Sequence, residues 1–436
     1  MKNFRKYNEQ YLQMIMADYP VYGQDYERMK EKVAGSDAQY AGAPVPFLYM
    51  PRFFTREDIN AFKEHVGILS GIFHKLIQAY IKDQELREFY EFPKEIEELI
   101  LLDNPLSTPF PMARFDLFYH SPKRFKLCEI NTDGTSAMIE DHFLAKFFKE
   151  TDAYAAFSQD HVMKDFELFS SWAETFLKLY QEVRPGEVPV VLITDIYETL
   201  NPEFEFFKKA FEEQGMQTLI ADARTLEFKE GYLYAENKRI DAVYRRLVTR
   251  DLGLNLQELK PLVEAIKAGN TLFIGPIRSQ IIHHKMAFAA LHDSRFHHYF
   301  SSSEIKYIVD HVPYTAPWSE ELFTDERFIS EKNHYILKPV DYYASKGVVA
   351  GKECSEEEWQ AHLKNALGKG FLIQEYVALP VLPMIDFDGG GIEDFGQITG
   401  LFVYGEEFKG IYSRAGRHAI ISGIHEGRTL PSFTVK

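Results

Sequence analysis

Between Thr55 and Asp83 the chain reads REDINAFKEHVGILSGIFHKLIQAYIKD, with apolar residues at three- and four-residue spacing behind a Thr-x-x-Asp start. That spacing predicts one long amphipathic helix capped at its beginning. Further helices are predicted at 139–150 and 160–183. The pattern changes over 186–275: EVPVVLITDI is a short apolar run, NPEFEFFKKAFEEQG a helix closed by glycine, and MQTLIADA a second run. Strand, helix and strand in that order predict parallel pairing. LEFKEGYLYAENKRIDAVYRRL then alternates around Glu-Gly and Glu-Asn, as a hairpin before another strand would. TLFIGPIRSQIIHHKMAFAAL passes through Gly-Pro into a helix. From about Asn333, strands are predicted at HYILKPV, GVVAG, FLIQEYV, QITGLFVYG and FKGIYS, and a helix at SEEEWQAHLKNAL, which reads as a second α+β lobe. There is no internal repeat and no low-complexity tract.

One stretch breaks the apolar logic of a strand. ARFDLFYHSPKRFKLCEIN holds two strand-like runs around Ser121–Arg124. A four-residue loop there pairs His120 with Phe125, and counting back sets Asp116 opposite Glu129 and Arg114 opposite Asn131. These four polar groups then share one face, while Phe115, Leu117, Cys128 and Ile130 share the other. Two carboxylates facing each other across a strand pair repel, so the arrangement needs a cation. Arg114 supplies part of one. A hard divalent ion such as Mg²⁺, which takes carboxylate, carbonyl and phosphate oxygens, would supply the rest from Asp116, Glu129 and Asn131. The alternative reading is a solvent-facing hairpin whose charges carry no function.

Length and charge narrow the classes. A chain of 436 residues suggests two or three structural units, enough for a sizeable cleft. With 45% hydrophobic and 26% charged residues, neither disorder nor a membrane class is favoured. A formal charge of −16 opposes binding to nucleic acid and would attract a cationic substrate, although acidic surfaces also serve solubility alone. Two cysteines, Cys128 and Cys354, make no framework and no CxxC, which fits a reducing compartment. The first residues lack the unbroken apolar core of a signal peptide, and no run approaches the roughly 18 residues of a membrane span. A cytoplasmic protein with no membrane partner is expected.

A second constellation lies far along the chain. In HYILKPVDYYASKGVVAGK, Lys338 ends an apolar strand and Ser345-Lys346-Gly347 form a small link before the next. A lysine beside a glycine-containing turn suits phosphate, with the ammonium as point charge and backbone N–H groups as donors. In FLIQEYVALP, the backbone from Gln374 to Val377 could meet an adenine edge. His283 and His284, before Lys285, read as incidental, since zinc needs further partners. MIDFDGGGIEDFG, with Asp386 and Asp388, reads as a mobile surface loop. No G-x-S-x-G elbow and no paired Cys–His signature is present.

Taken in order, R-x-D at Arg114 and Asp116, E-x-N-x-D from Glu129 to Asp133, the helix lysine Lys285, the K-P of Lys338 with its glycine loop, and Q-E-Y at 374–376 resemble the ATP-grasp ligases. The likeness is specifically to the synthetase domain of glutathionylspermidine synthase and its circularly permuted relatives, because the metal acids here precede the nucleotide lysines. It spans roughly 110–425. The resemblance implies a mixed α+β and α/β fold: a circularly permuted ATP-grasp with an inserted α/β substrate-binding lobe and N-terminal helices. Its units would be a mostly helical region at 1–110, the metal-site hairpin and helices at 111–185, the substrate lobe at 186–275 and the nucleotide-binding lobes at 276–436. By the same resemblance, Arg114 contacts the transferring phosphoryl group, Asp116, Glu129 and Asn131 bind Mg²⁺, and Lys285 and Lys338 hold ATP phosphates. Ser345, Lys346 and Gly347 form a covering loop, Gln374, Glu375 and Tyr376 an adenine hinge, and Arg414 in IYSRAG a substrate or phosphate contact.

The chain departs from that family where proline and hydroxyl residues usually follow the asparagine. Here the segment is Asp133-Gly134-Thr135-Ser136, and Asp133, Thr135 and Ser136 would line the carboxylate-substrate pocket. An amidase domain, fused in some members, is not expected, so the chain should only synthesise. YRRL, from Tyr244 to Leu247, looks closer to other circularly permuted ATP-grasp proteins. The implied activity is ATP-dependent joining of a small-molecule or peptide carboxylate to an amine through an acylphosphate. The alternatives are a peptide-type ligase with an amino-acid acceptor and a non-catalytic ATP-binding regulatory protein.

Overall fold

The computed structural model describes residues 4–40, 42–340, 347–421 and 426–436. At its centre the polar-faced hairpin forms from Met112–Ser121 and Arg124–Asn131, with Asp116 opposite Glu129 and Arg114 opposite Asn131, as counted from the turn. The path to that register is different. The loop is a two-residue turn at Pro122-Lys123, because Ser121 pairs with Arg124. Phe125 pairs with Tyr119, which leaves His120 bulged, and a second irregularity near Leu117 leaves Cys128 unpaired. Each bulge shifts the pairing by one residue, and the second restores what the first displaced. Cys128 is thereby turned out of the expected apolar row: Leu127, fully buried, joins Phe115, Leu117 and Ile130 in the core.

The hairpin is one edge of a six-stranded antiparallel sheet that continues through Gly391–Tyr404, Glu407–Gly416 and Arg428–Leu430, with Val381–Asp386 also paired to Gly391–Tyr404. The helix Arg56–Lys82 packs beneath it, and its Thr55 and Asp58 exchange both bonds of a capping box. Phe62 meets Tyr119 at 4.6 Å and Phe73 meets Phe115 at 5.5 Å, edge-on in both cases.

A parallel sheet of four strands carries the region that begins at 190. Val190–Asp195 lies between Gln217–Asp222 and Ala242–Arg245, and Leu272–Ile274 forms the far edge. Its antiparallel annex, Glu227–Lys229, Tyr232–Ala235 and Lys238–Arg239, turns at Glu230-Gly231 and Glu236-Asn237, all four at positive φ as a tight hairpin turn requires. The helix predicted at 160–183 starts only at Phe169. Met163–Lys164 is instead a strand on Ser432–Val435, and the Glu167 carboxylate accepts from the N–H groups of Phe169, Ser170 and Ser171 to cap the helix.

The strands predicted after Asn333 divide between two sheets. Tyr335–Pro339, Val349–Ala350 and Phe371–Glu375 join Thr315–Pro317 in a small antiparallel sheet, whereas the later strands belong to the central one. The small sheet has its own apolar core of Trp318, Phe328, Leu337, Trp359, Leu363, Ala366 and Ile373, closed by the helix Glu356–Ala366. The stretch around Asp386 and Asp388, read from the sequence as a surface loop, is the turn between Val381–Asp386 and Gly391–Tyr404. Phe387 stacks at 5.3 Å on Tyr26 of the helix Tyr19–Ala34, and Asp388 accepts from Tyr26 at 2.8 Å and Lys30 at 2.7 Å. Asp386 pairs with Arg417 at 2.5 Å. Among the described residues no helix is long and apolar enough to cross a membrane.

Candidate functional site

A cavity of about 430 Å³ opens where the polar face of the hairpin meets the small sheet and the chain around Lys285. Arg114, Glu129 and Asn131 line it from the hairpin, Arg414 from Glu407–Gly416 two strands away, Lys338 and Gln374 from the small sheet, and His283, His284 and Lys285 from the break between the helices Gln280–His283 and Met286–His292. The break explains Lys285: extended backbone at His284 interrupts what the sequence suggests as one helix.

One carboxylate lies behind the cavity wall. Asp116 is fully buried and does not line the cavity; it accepts from Arg114 Nε at 2.7 Å, Arg114 Nη2 at 3.1 Å and Arg414 Nη2 at 2.6 Å. The facing residue on Gly391–Tyr404 is Gly400, and a Cβ there would stand 2.7 Å from Asp116 Oδ1 and 2.9 Å from Arg114 Cδ. A glycine at that point is what lets the charged pair lie flat across the sheet. Burial pushes the Asp116 carboxyl up despite both guanidiniums. Glu129 behaves oppositely: burial pushes it up, but the cations Arg414, Arg114 and Lys285 outweigh burial and hold it at about 2. The Cys128 thiol is pushed up to about 12 by burial, against the nearby Lys338 ammonium, so it is a neutral wall of the cavity.

Arg414 carries a buried unpaired donor. Its Nε is buried and has no hydrogen-bond partner among the described residues, in a side chain that lines the cavity. An orphaned guanidinium N–H beside two further cations, Lys285 and Lys338, fits an anionic oxygen.

The other sequence-predicted residues divide. Ser136 lines the cavity and its carbonyl accepts from Arg114 Nη1 at 2.9 Å. Asp133 does not reach it: the carboxylate is buried, bonded at 2.5 Å to both Arg245 Nη2 and the Thr249 N–H. Thr135 closes a local turn through its hydroxyl on the Asn131 carbonyl at 2.9 Å. The Gln374 amide is fixed by Thr315 at 2.9 Å. Glu375 pairs with Lys126 at 2.7 Å, and the Tyr376 ring carries the Lys352 ammonium at 4.7 Å, so neither side chain lines the cavity. Gly347, at φ +73°, also lies outside the lining. Ser345 and Lys346 fall outside the described residues. Among the described residues no group of three or more His, Cys, Asp or Glu is arranged to hold a metal ion.

The cavity is also lined by residues the sequence did not signal: Gln39, Ala137, Glu140, Asn201, Glu203 and Tyr412. Ala137 stands at φ +81° ahead of the helix Met138–Phe148, an uncommon conformation for a residue with a side chain. Glu203 binds Arg246 at 2.8 Å and the Ile139 N–H at 3.1 Å. Only the Asn-Pro turn before Glu203, where Asn201 accepts from the Glu203 N–H at 3.0 Å, had a readable signal.

A mixed α/β molecule whose charged cleft is framed by a central antiparallel sheet, a parallel sheet and a small separate one defines the class. The chain is similar in fold to the apo structure of a glutathione synthetase-like effector from Globodera pallida, at 12% identity and a TM-score of 0.59, covering 96% of this chain and 98% of that one. A putative gamma-glutamylcysteine synthetase from Methylobacillus flagellatus has 10% identity and a TM-score of 0.42, with 88% and 89% covered. Among curated proteins none matches. Residues 47–426 match the glutathionylspermidine synthase preATP-grasp family, and the chain belongs to it.

Proposed function

We propose that the chain is an ATP-dependent carboxylate–amine ligase built as a circularly permuted ATP-grasp, with the parallel sheet as an inserted substrate lobe. In that reading 1–110 is the N-terminal helical region, 111–185 the metal-site hairpin and its helices, 186–275 the substrate lobe and 276–436 the nucleotide-binding part. The observation that carries it is the convergence on one cavity of Arg114, Arg414, Lys285 and Lys338 with Glu129 and Asn131, in a chain of this family.

The protein's task in phosphoryl transfer is positioning and neutralising charge, with little covalent chemistry of its own. Lys285 and Lys338 would hold ATP phosphates, with Gln374, Glu375 and Tyr376 meeting adenine through their backbone and Ser345, Lys346 and Gly347 covering the phosphates. Arg414 would turn its unpartnered Nε to the transferring phosphoryl group, with Arg114 beside it. The donor set fits Mg²⁺: Glu129, ionised at neutral pH, and Asn131 present oxygens to the cavity, and Asp116 stands behind them. When bound, the ion would neutralise the phosphate oxygens. Ser136 would face the carboxylate substrate, while Asp133 and Thr135 hold its loop in place. ATP then phosphorylates a carboxylate, and an amine displaces phosphate to leave an amide.

The test is release of ADP and phosphate from Mg²⁺-ATP across pairs of carboxylates (glutathione, glutamyl peptides, amino acids) and amines (spermidine, putrescine, amino acids). A pair that stimulates release and yields a product of the summed mass less water supports the ligase and names its substrates. ATP binding without turnover for any pair favours the non-catalytic reading, and no ATP binding at all removes the phosphate site.

A further inference from the structure

Three contacts hold the Arg114 guanidinium in the cavity wall. Nε and Nη2 donate to Asp116 in its own strand, and the Tyr412 ring of Glu407–Gly416 lies 5.1 Å away. Nη1 donates to the Ser136 carbonyl at 2.9 Å. Of the three, only the Ser136 contact comes from outside the central sheet. Ser136 sits in the segment 132–137, which is neither helix nor strand. Two residues of that segment, Gly134 at φ +64° and Ala137 at φ +81°, are left-handed. A residue with a side chain keeps that conformation only where its surroundings impose it.

What surrounds the segment is the end of the parallel-sheet strand Ala242–Arg245, where two arginines follow each other. Arg245 takes the beginning of the turn. Its Nη2 meets Asp133 Oδ1 at 2.5 Å, with both side chains only 1% exposed, while its Nε and Nη1 donate to the carbonyls of Gly275 and Leu247. The second Asp133 oxygen accepts from the Thr249 N–H. Arg246 takes the end of the turn through Glu203: Nη1 donates to Glu203 Oε1 at 2.8 Å, and Oε2 accepts from the Ile139 N–H at 3.1 Å. The rings of Phe204, Phe207 and Tyr244 surround the Arg246 guanidinium at 5.3–5.7 Å. Between the two anchors the turn rests on the strand end itself, since a Cβ on Gly134 would stand 2.6 Å from the Arg246 carbonyl oxygen.

We infer that Arg245 and Arg246 are positioning residues: they clamp the turn 133–139 at both ends and, through the Ser136 carbonyl, aim the Arg114 guanidinium into the cavity. The clamp stands on the contacts above; its effect on turnover rests on the ligase reading. Desolvation offsets most of what a buried ion pair gains, so two such pairs on one turn fix a geometry more than they add stability. Lysine serves neither position. Arg245 reaches three acceptors with one planar fork, and a lysine ammonium on a flexible stem has no such fork. The parallel sheet thereby sets the direction of a cavity cation that belongs to another sheet.

The variants are Arg245→Lys and Arg246→Lys, with Glu203→Gln as the third if either lysine variant does not fold. Hydrogen–deuterium exchange read by peptide mass spectrometry follows the turn. Each variant should speed exchange over 133–139 on the order of ten-fold, the loss of one hydrogen bond to a charged group, while the helix Arg56–Lys82 exchanges as in wild type. Unchanged exchange over 133–139, or an equal rise in both segments, overturns the clamp. Arg114 is followed by ¹⁵N NMR: the Nη groups of a guanidinium held on both sides rotate slowly and give separate signals, assigned by their loss in Arg114→Lys. Those signals should broaden or merge in each variant, and signals identical to wild type overturn the link through Ser136. With a substrate pair that turns over, each variant should lose on the order of 10- to 100-fold in kcat at unchanged ATP affinity; a matching loss of ATP affinity overturns the positioning role. No turnover by wild type for any pair would refute the ligase reading, while exchange and NMR still decide the clamp.

Discussion

Asp116→Asn keeps the volume of the side chain and removes its charge, which strands two guanidiniums inside the sheet. In the native site Asp116 takes three N–H groups at 2.6–3.1 Å from Arg114 and Arg414. Removing one partner of a buried ion pair costs about 3–5 kcal/mol, because the remaining charge stays desolvated. Arg414 keeps Glu129 at 3.6 Å, so the lower end of that range applies. With an unfolding entropy of about 2 cal/mol/K per residue, about 3 kcal/mol lowers the midpoint of a cooperatively melting chain of this length by roughly 3 °C. The assay is thermal and urea unfolding of Asp116→Asn, Arg414→Gln and the double variant. The two changes should couple by more than about 1 kcal/mol, since removing a cation with its anion relieves what either alone creates. The wild-type triad itself adds little net stability, as the upward push on Asp116 already indicates. A single variant that melts with wild type, and a cycle with no coupling, would refute the reasoning by showing that the charges are solvated.

Gly400→Ala drives a Cβ to 2.7 Å from Asp116 Oδ1; it should cost about 1–3 kcal/mol and depress turnover, and an unchanged melting midpoint would contradict the close approach. Lys338→Ala should weaken ATP binding on the order of ten-fold by calorimetry, the loss of one charge-assisted contact, and undisturbed affinity would take Lys338 out of the phosphate site. His284, buried against Phe92 and Tyr90, has its pKa lowered by burial from 6.5 to about 3, so its neutral form stabilises the fold above pH 6.5 and that contribution is lost as pH falls toward 3. His284→Phe should therefore flatten the loss of stability between those pH values; an identical acid limb would show that another group drives it.

What was legible in the sequence was local. The Ser121–Arg124 loop residues and the alternation on either side led to Asp116 opposite Glu129, although through a longer loop than the one that forms, and the capping pattern at Thr55 marked one helix. The compensating bulges were invisible because they leave the outer register unchanged, and they moved Cys128 from the core to the cavity wall. Asp133 looked like a pocket residue. Its partner, Arg245, is more than a hundred positions away, and no local pattern announces a buried ion pair of that reach. Glu140 and Glu203 read as ordinary first-turn helix acids; only tertiary packing turns them toward the cavity. The division of the C-terminal strands between two sheets was hidden for the same reason: alternation shows which face a strand buries and not which strand lies beside it.

The partner of the hairpin in the central sheet is Gly391–Tyr404, with Thr399 paired to Leu117 and Gly400 to Asp116. The two strands meet across nearly three hundred residues of intervening chain, so the contact is slow to find and late to form. Until it forms, the hairpin holds Arg114 and Asp116 together in water, where their pairing is weak. Assembly of the Arg114–Asp116–Arg414 cluster and completion of the sheet are thus one kinetic event. Refolding from denaturant should therefore regain ATP affinity in the slow phase that restores the β-sheet signal, and no earlier collapsed species should bind nucleotide.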